Sequence, residues 1–246
     1  MDELREHPQV AELIDTLDKN DMHKEKAEVD SLVDYIGGME KTLTEMLKEM
    51  QEMRQEINLI HNNSLRVKCQ NLVEKTEGKI KQGFVLLGKV KDNVIQSAKN
   101  ALKAFKERGK EALRSAVKAM KIPETLDKLG SFFGKLSKEV EQDVMQLNSM
   151  QSELNSSKGH LKNIGRLLIG RESKEVVQSK SDKGVFSCFG KLLEKISKGF
   201  GTLSQKAMDK ADKIRVTNVK ESVKNELDTL KSLNQGRSVS DPSRER

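Results

Sequence analysis

The amino-acid sequence predicts an all-α protein: long amphipathic helices in an elongated, coiled-coil-like bundle with no β-sheet. Three observations predict it. The first is a run of apolar positions, Val29, Leu32, Ile36, Met39, Leu43, Met46, Met50, Met53, Ile57 and Ile60, separated by alternating steps of three and four. This is the heptad pattern of a helix that packs along a partner, and at 1.5 Å per residue the rod is roughly 48 Å long. The second is proline. Pro8, Pro123 and Pro242 leave two spans of over a hundred residues without the main helix breaker. The third is composition: of 246 residues, 35% are hydrophobic, 34% are charged, 3% are aromatic and none is tryptophan. Helices that bury one narrow stripe and solvate the rest have these proportions; an α/β enzyme of this length carries more aromatic mass.

Cysteine, leader and hydropathy patterns narrow the setting. Cys69 and Cys188 make neither a disulfide framework nor a zinc site. The opening residues lack the basic and apolar regions of a signal peptide, and the longest apolar runs, such as Phe84 to Leu87, are far too short to cross a bilayer. A soluble cytoplasmic protein is expected.

Charge is segregated along the chain. The formal net charge is +7, yet residues 1–60 carry a net −9, residues 79–121 a net +9 and residues 158–220 again +9. Such asymmetry steers a chain onto itself, onto a second copy or onto an anionic partner.

Taken in order, residues 1–27 hold a short helix with Pro8 in its first turn and Val10, Leu13, Ile14 and Leu17 on one face, ending at Asn20-Asp21. Residues 28–61 are the acidic heptad helix; Gly37 and Gly38 lie off its seam as a weak hinge, and its methionines specify a partner poorly. His61 to Ser64 interrupts the rhythm as a turn. Residues 65–121 are a basic amphipathic helix that Gly78, Gly83, Gly88 and Gly109 loosen or split. Residues 123–170 begin with Pro123 and carry a second heptad seam, Leu126, Phe133, Val140, Leu147 and Leu154, flawed at Asp143 and closed by Asn155-Ser156-Ser157; a short apolar segment then stops at Gly170. Residues 171–183 read as a linker. Residues 184–234 hold C-terminal helices, one with Phe186, Phe189 and Phe200 on its face and a last one with Val216, Val219, Val223, Leu227 and Leu230. The tail 235–246 is expected to be disordered.

No stretch supports chemistry. Gly83 to Val90 has the glycines and lysine of a phosphate loop, but Val90 stands where magnesium needs Ser or Thr, and no strand precedes it. His7, His23, His61 and His160 make no metal-ligand spacing, and there is no nucleophile elbow. The expectation is a protein without catalytic residues, metal, cofactor or small-molecule substrate. Its heptad seams imply partners instead: its own helices, preferred here, or a second copy. One stripe has recognition content: Lys99, Lys103, Lys106, Lys110, Arg114 and Lys118, three or four apart. It can bind an anionic partner, tracking nucleic-acid phosphates without reading bases. It can also sit at an anionic membrane, the weaker alternative, or be a solvated face that offsets the acidic first sixty residues.

Three stretches carry a family resemblance. They are Leu32-Val33-Asp34-Tyr35-Ile36 followed by Met39-Glu40-Lys41, then Asn100-Ala101 followed by Ala104-Phe105-Lys106-Glu107, and Gly159 to Arg166. In this order, over residues 10–170, they resemble an uncharacterised family of helical proteins found in Firmicutes, often within conjugative mobile elements. The resemblance implies a bacterial cytoplasmic setting and an accessory role on a mobile element. It carries no activity, so no functional residue is transferred.

Overall fold

The computed structural model describes residues 4–60, 63–168 and 184–235. Among these residues a short 3₁₀ turn, Leu4–Glu6, precedes six α-helices: α1 Pro8–Lys19, α2 His23–Asn58, α3 Asn63–Arg108, α4 Lys110–Ala119, α5 Ile122–Leu168 and α6 Val185–Gln235. No described residue lies in a strand. The all-α expectation holds.

Local chemistry sets several helix ends. Pro8 opens α1, where its missing N–H costs nothing. Asn20 Nδ2 donates to the Thr16 carbonyl at 2.8 Å, and Asp21 takes φ 55°, turning the chain into α2. Of the four glycines in the basic region only Gly109 breaks the helix. At φ 76° it occupies the left-handed region that favours glycine, its N–H donates to the Phe105 carbonyl at 2.8 Å, and α4 starts at the next residue. Gly37, Gly38, Gly78, Gly83 and Gly88 stay inside helices.

Four long helices form an up-down-up-down bundle, each antiparallel to its neighbours. The order around the core is α2, α3, α5, α6 and back to α2. Arg54 with Glu77 and Glu40 with Lys91 register α2 against α3. Asp143 with Lys75 and Lys79 registers α3 against α5. Ser137 with Ser197 registers α5 against α6, and Tyr35, which donates to the Leu203 carbonyl, registers α6 against α2. Helices α1 and α4 pack on α2 and α3 at one end.

One central layer shows how large and small residues interlock. Phe133 of α5 stacks on Phe200 of α6 with ring centroids 5.9 Å apart, and both rings are buried. Gly83 of α3 makes room for Phe133 and for Leu43 of α2: a Cβ there would sit 3.0 Å from a Leu43 methyl and 3.3 Å from the Phe133 ring. Gly130 lets α5 approach α6, since a Cβ would meet the Ser204 carbonyl at 3.1 Å.

The basic region 65–121 is split at one of its four glycines, into α3 and α4, because Gly109 reverses φ. Two other sequence boundaries differ from the structure. From Ile122 to Leu168 the chain is one helix through Asn155-Ser156-Ser157, because Asn and Ser cost a helix interior only a few tenths of a kcal/mol each, too little to stop it. The C-terminal helices are a single α6, since no proline or left-handed residue separates Leu203 from Val216. The expected stop at Gly170, the expected linker 171–183 and, apart from Gln235, which ends α6, the expected tail 235–246 lie outside the described residues.

Candidate interaction surfaces

The heptad seam lies inside the bundle. Val29, Leu32, Ile36, Met39, Leu43, Met46, Met50, Met53 and Ile57 of α2 are all buried, while Ile60 is half-buried just past the helix end. The second seam is buried as well from Leu126 to Met150. The two do not pair as neighbours. The short connection after Asn58 folds α3 back on α2, so α2 lies between α3 and α6, and α5 stands diagonally across the core. As folded, this seam is not offered to a second copy.

Asp143, out of place in a seam, is explained by its partners. Its carboxylate is fully buried and accepts from Lys75 and Lys79, each at 2.6 Å; the Lys79 side chain is buried too. Removing one partner would strand an uncompensated buried charge, so the cluster holds α3 and α5 in one register. Similar links lie nearer the surface: Arg54 grips Glu77 through two nitrogens at 2.8 and 3.2 Å, and Arg114 Nε meets Glu25 at 3.0 Å.

The six residues of the basic stripe are not one line. Lys99, Lys103 and Lys106 are on α3, Lys110, Arg114 and Lys118 on α4, and Gly109 redirects the chain between them. Several already face carboxylates. Lys106 reaches Glu12 at 3.2 Å, Lys103 reaches Glu107 at 3.8 Å, and Arg114 serves Glu25 and Glu111. Lys99, Lys110 and Lys118 are exposed.

A lysine-rimmed groove between the start of α2 and the middle of α6 escaped sequence reading. It encloses about 420 Å³, with Ala27 and Ile214 among its apolar lining and Lys24, Lys206, Lys210 and Lys213 around it. Glu28 and Asp209 also line it, and Lys210 Nζ donates to Ser31 Oγ at 3.1 Å. The spacing of 206, 210 and 213 puts three lysines on one helix face, which sequence shows; that this face meets Lys24 only the fold shows.

The other surface is the end of α6. Helix α2 begins at His23 and α5 at Ile122, and their antiparallel registers bring both starts level with residues near 215 of α6. Beyond that level Val216, Val219, Val223, Leu227 and Leu230 are 50–62% exposed and form one ridge.

Elsewhere the described residues offer little chemistry. The Gly83–Val90 stretch is interior helix, not a loop around phosphate. No group of three or more metal-binding side chains occurs among the described residues. Burial pushes the Cys69 thiol up to about 11 and the Tyr35 hydroxyl well above its usual value. No helix of the described residues is long and apolar enough to cross a membrane.

Fold and surfaces together define a four-helix bundle with two accessory helices and one helix that runs on past the core. The chain belongs to a family of unknown function, DUF6674, whose model matches residues 6–246. Curated proteins and solved structures gave no match.

Proposed function

We propose that the protein is a helical scaffold or accessory protein that acts through helix–helix contact and not by catalysis. One observation supports this above the others: α6 carries a continuous apolar ridge past the end of its own bundle. Scattered surface apolar residues are ordinary, but five on one helix face form the kind of patch that marks a contact site. The sequence resemblance adds a setting to the proposal: the cytoplasm of a bacterium that carries a mobile element.

The test is photo-crosslinking in cells, with a reactive residue placed at Val219 or Leu227 and, as a control, at exposed Val85 on α3. Polypeptide adducts from the α6 positions and none from Val85 are expected. No polypeptide adduct from α6 would end the proposal.

Nucleic-acid binding is a second reading, favoured by the groove where Lys206, Lys210 and Lys213 face Lys24. Phosphate contacts release counterions, so affinity for duplex or single-stranded DNA must fall steeply with salt. Binding that ignores salt, or none at low salt, would remove it. Flotation with anionic and neutral vesicles tests the membrane alternative in the same way.

A further inference from the structure

The apolar face of α6 changes sides where the bundle ends. Phe189, Leu193, Ile196, Phe200, Leu203, Ala207, Ala211 and Ile214 are buried along one side of the helix. At 3.6 residues per turn, the ridge from Val216 to Leu230 is centred roughly 160° away, on nearly the opposite side. The positions that continue the core-facing side, Asn218, Ser222 and Thr229, are polar. The ridge is therefore not an extension of the bundle core. It points where the solvent face of α6 points.

No stretch of this sequence outside the described residues suits it as a cover. Residues 169–183 are joined in sequence to the start of α6, which lies roughly 46 Å along that helix from Val216. Fully extended they span only about 55 Å, and they must go out and return. Residues 236–246 contain a single large apolar side chain, Val239.

We infer that a second copy of this chain covers the ridge, the two α6 ends packing together about a twofold axis. The inference rests on the helix-contact reading above and names its partner. Two features select a copy over a foreign chain. Residues 216–235 hold three lysines and three carboxylates, so this end is neutral in a molecule whose other regions carry net charges of −9 and +9. A neutral surface meets its twin without repulsion and selects neither an acidic nor a basic stranger. The ridge also presents valines followed by leucines at steps of three and four over roughly 21 Å, the spacing at which two helices interlock branched side chains. Pairing would cover a patch of the size that marks a contact site, at the small end of interfaces between proteins, as suits a weak, concentration-dependent dimer.

The experiment is sedimentation with light scattering on the full chain across a wide concentration range. It compares the native protein with the double variant Val223→Glu/Leu230→Glu and with Val85→Glu. The native chain and Val85→Glu should dimerise with the same midpoint. The double variant should dimerise at least tenfold more weakly while keeping the helical signal and melting temperature of a dilute monomer. A native chain that stays monomeric throughout overturns the inference, as does a dimer indifferent to the double substitution. If the chain is monomeric yet crosslinks from Val219 to a different polypeptide, the second copy is excluded while the helix-contact proposal stands.

Discussion

The two halves of α6 belong to one uninterrupted helix, yet they solve opposite problems. From Phe189 to Ile214 its apolar residues, Met208 excepted, face inward and are covered by α2 and α5. From Val216 to Leu230 they face outward and stay half or more exposed. Helix propensity and hydrophobic content barely differ between them. What differs is whether a neighbouring helix lies alongside. An apolar stripe thus records that contact is needed, and tertiary context decides with whom.

The comparison breaks most sharply under truncation. Phe200→Ala removes one ring of the buried stack and should cost ~3–5 kcal/mol in urea unfolding. Val223→Ala in the outer half should shift dilute-monomer stability by less than about 0.5 kcal/mol. Equal losses would mean that the outer half is part of the core.

Next comes the buried charge. Asp143→Ala leaves Lys79 buried without its carboxylate and should cost about 3 kcal/mol. The double change Asp143→Leu/Lys79→Met should recover most of it, because a well-packed apolar pair replaces the ion pair. If the double variant is no better than the single one, the cluster is held by more than charge pairing.

A smaller effect tests the close approach of α5 and α6. Gly130→Val drives a branched side chain toward the Ser204 carbonyl and should cost ~1–3 kcal/mol with a lower melting temperature. Smallest of all, Glu40→Gln weakens the contact with Lys91 at 3.1 Å, where both side chains are about one-fifth exposed. A loss below about 1 kcal/mol that shrinks further with salt is expected.

Much of this fold was legible in sequence. The steps of three and four from Val29 to Ile57 placed those residues inside, and Pro8, Asn20-Asp21 and Pro123 marked helix ends that local chemistry dictates. Boundaries failed where the signal was weak. Asn155 to Ser157 reads as a stop, yet the small cost of those residues did not outweigh helix continuation. Among the glycines, sequence alone did not separate Gly109, which turns the chain, from Gly83, which receives Leu43 and Phe133. The candidate surface was visible only as a helix pattern: Val216 to Leu230 reads like any other stripe, because periodicity says nothing about cover.

By itself, the sequence determined that the chain is helical, that the seam residues avoid water and that charge is segregated. These are local or one-dimensional properties, set by propensity and by the 3.6-residue period. Only the tertiary structure decided that α2 lies between α3 and α6, that Asp143 reaches Lys75 and Lys79, and that the basic stripe divides at Gly109. It also decided that α6 outruns its neighbours. Each of these depends on how long the adjoining helices are and where they start, a relation between distant segments that no single stretch contains.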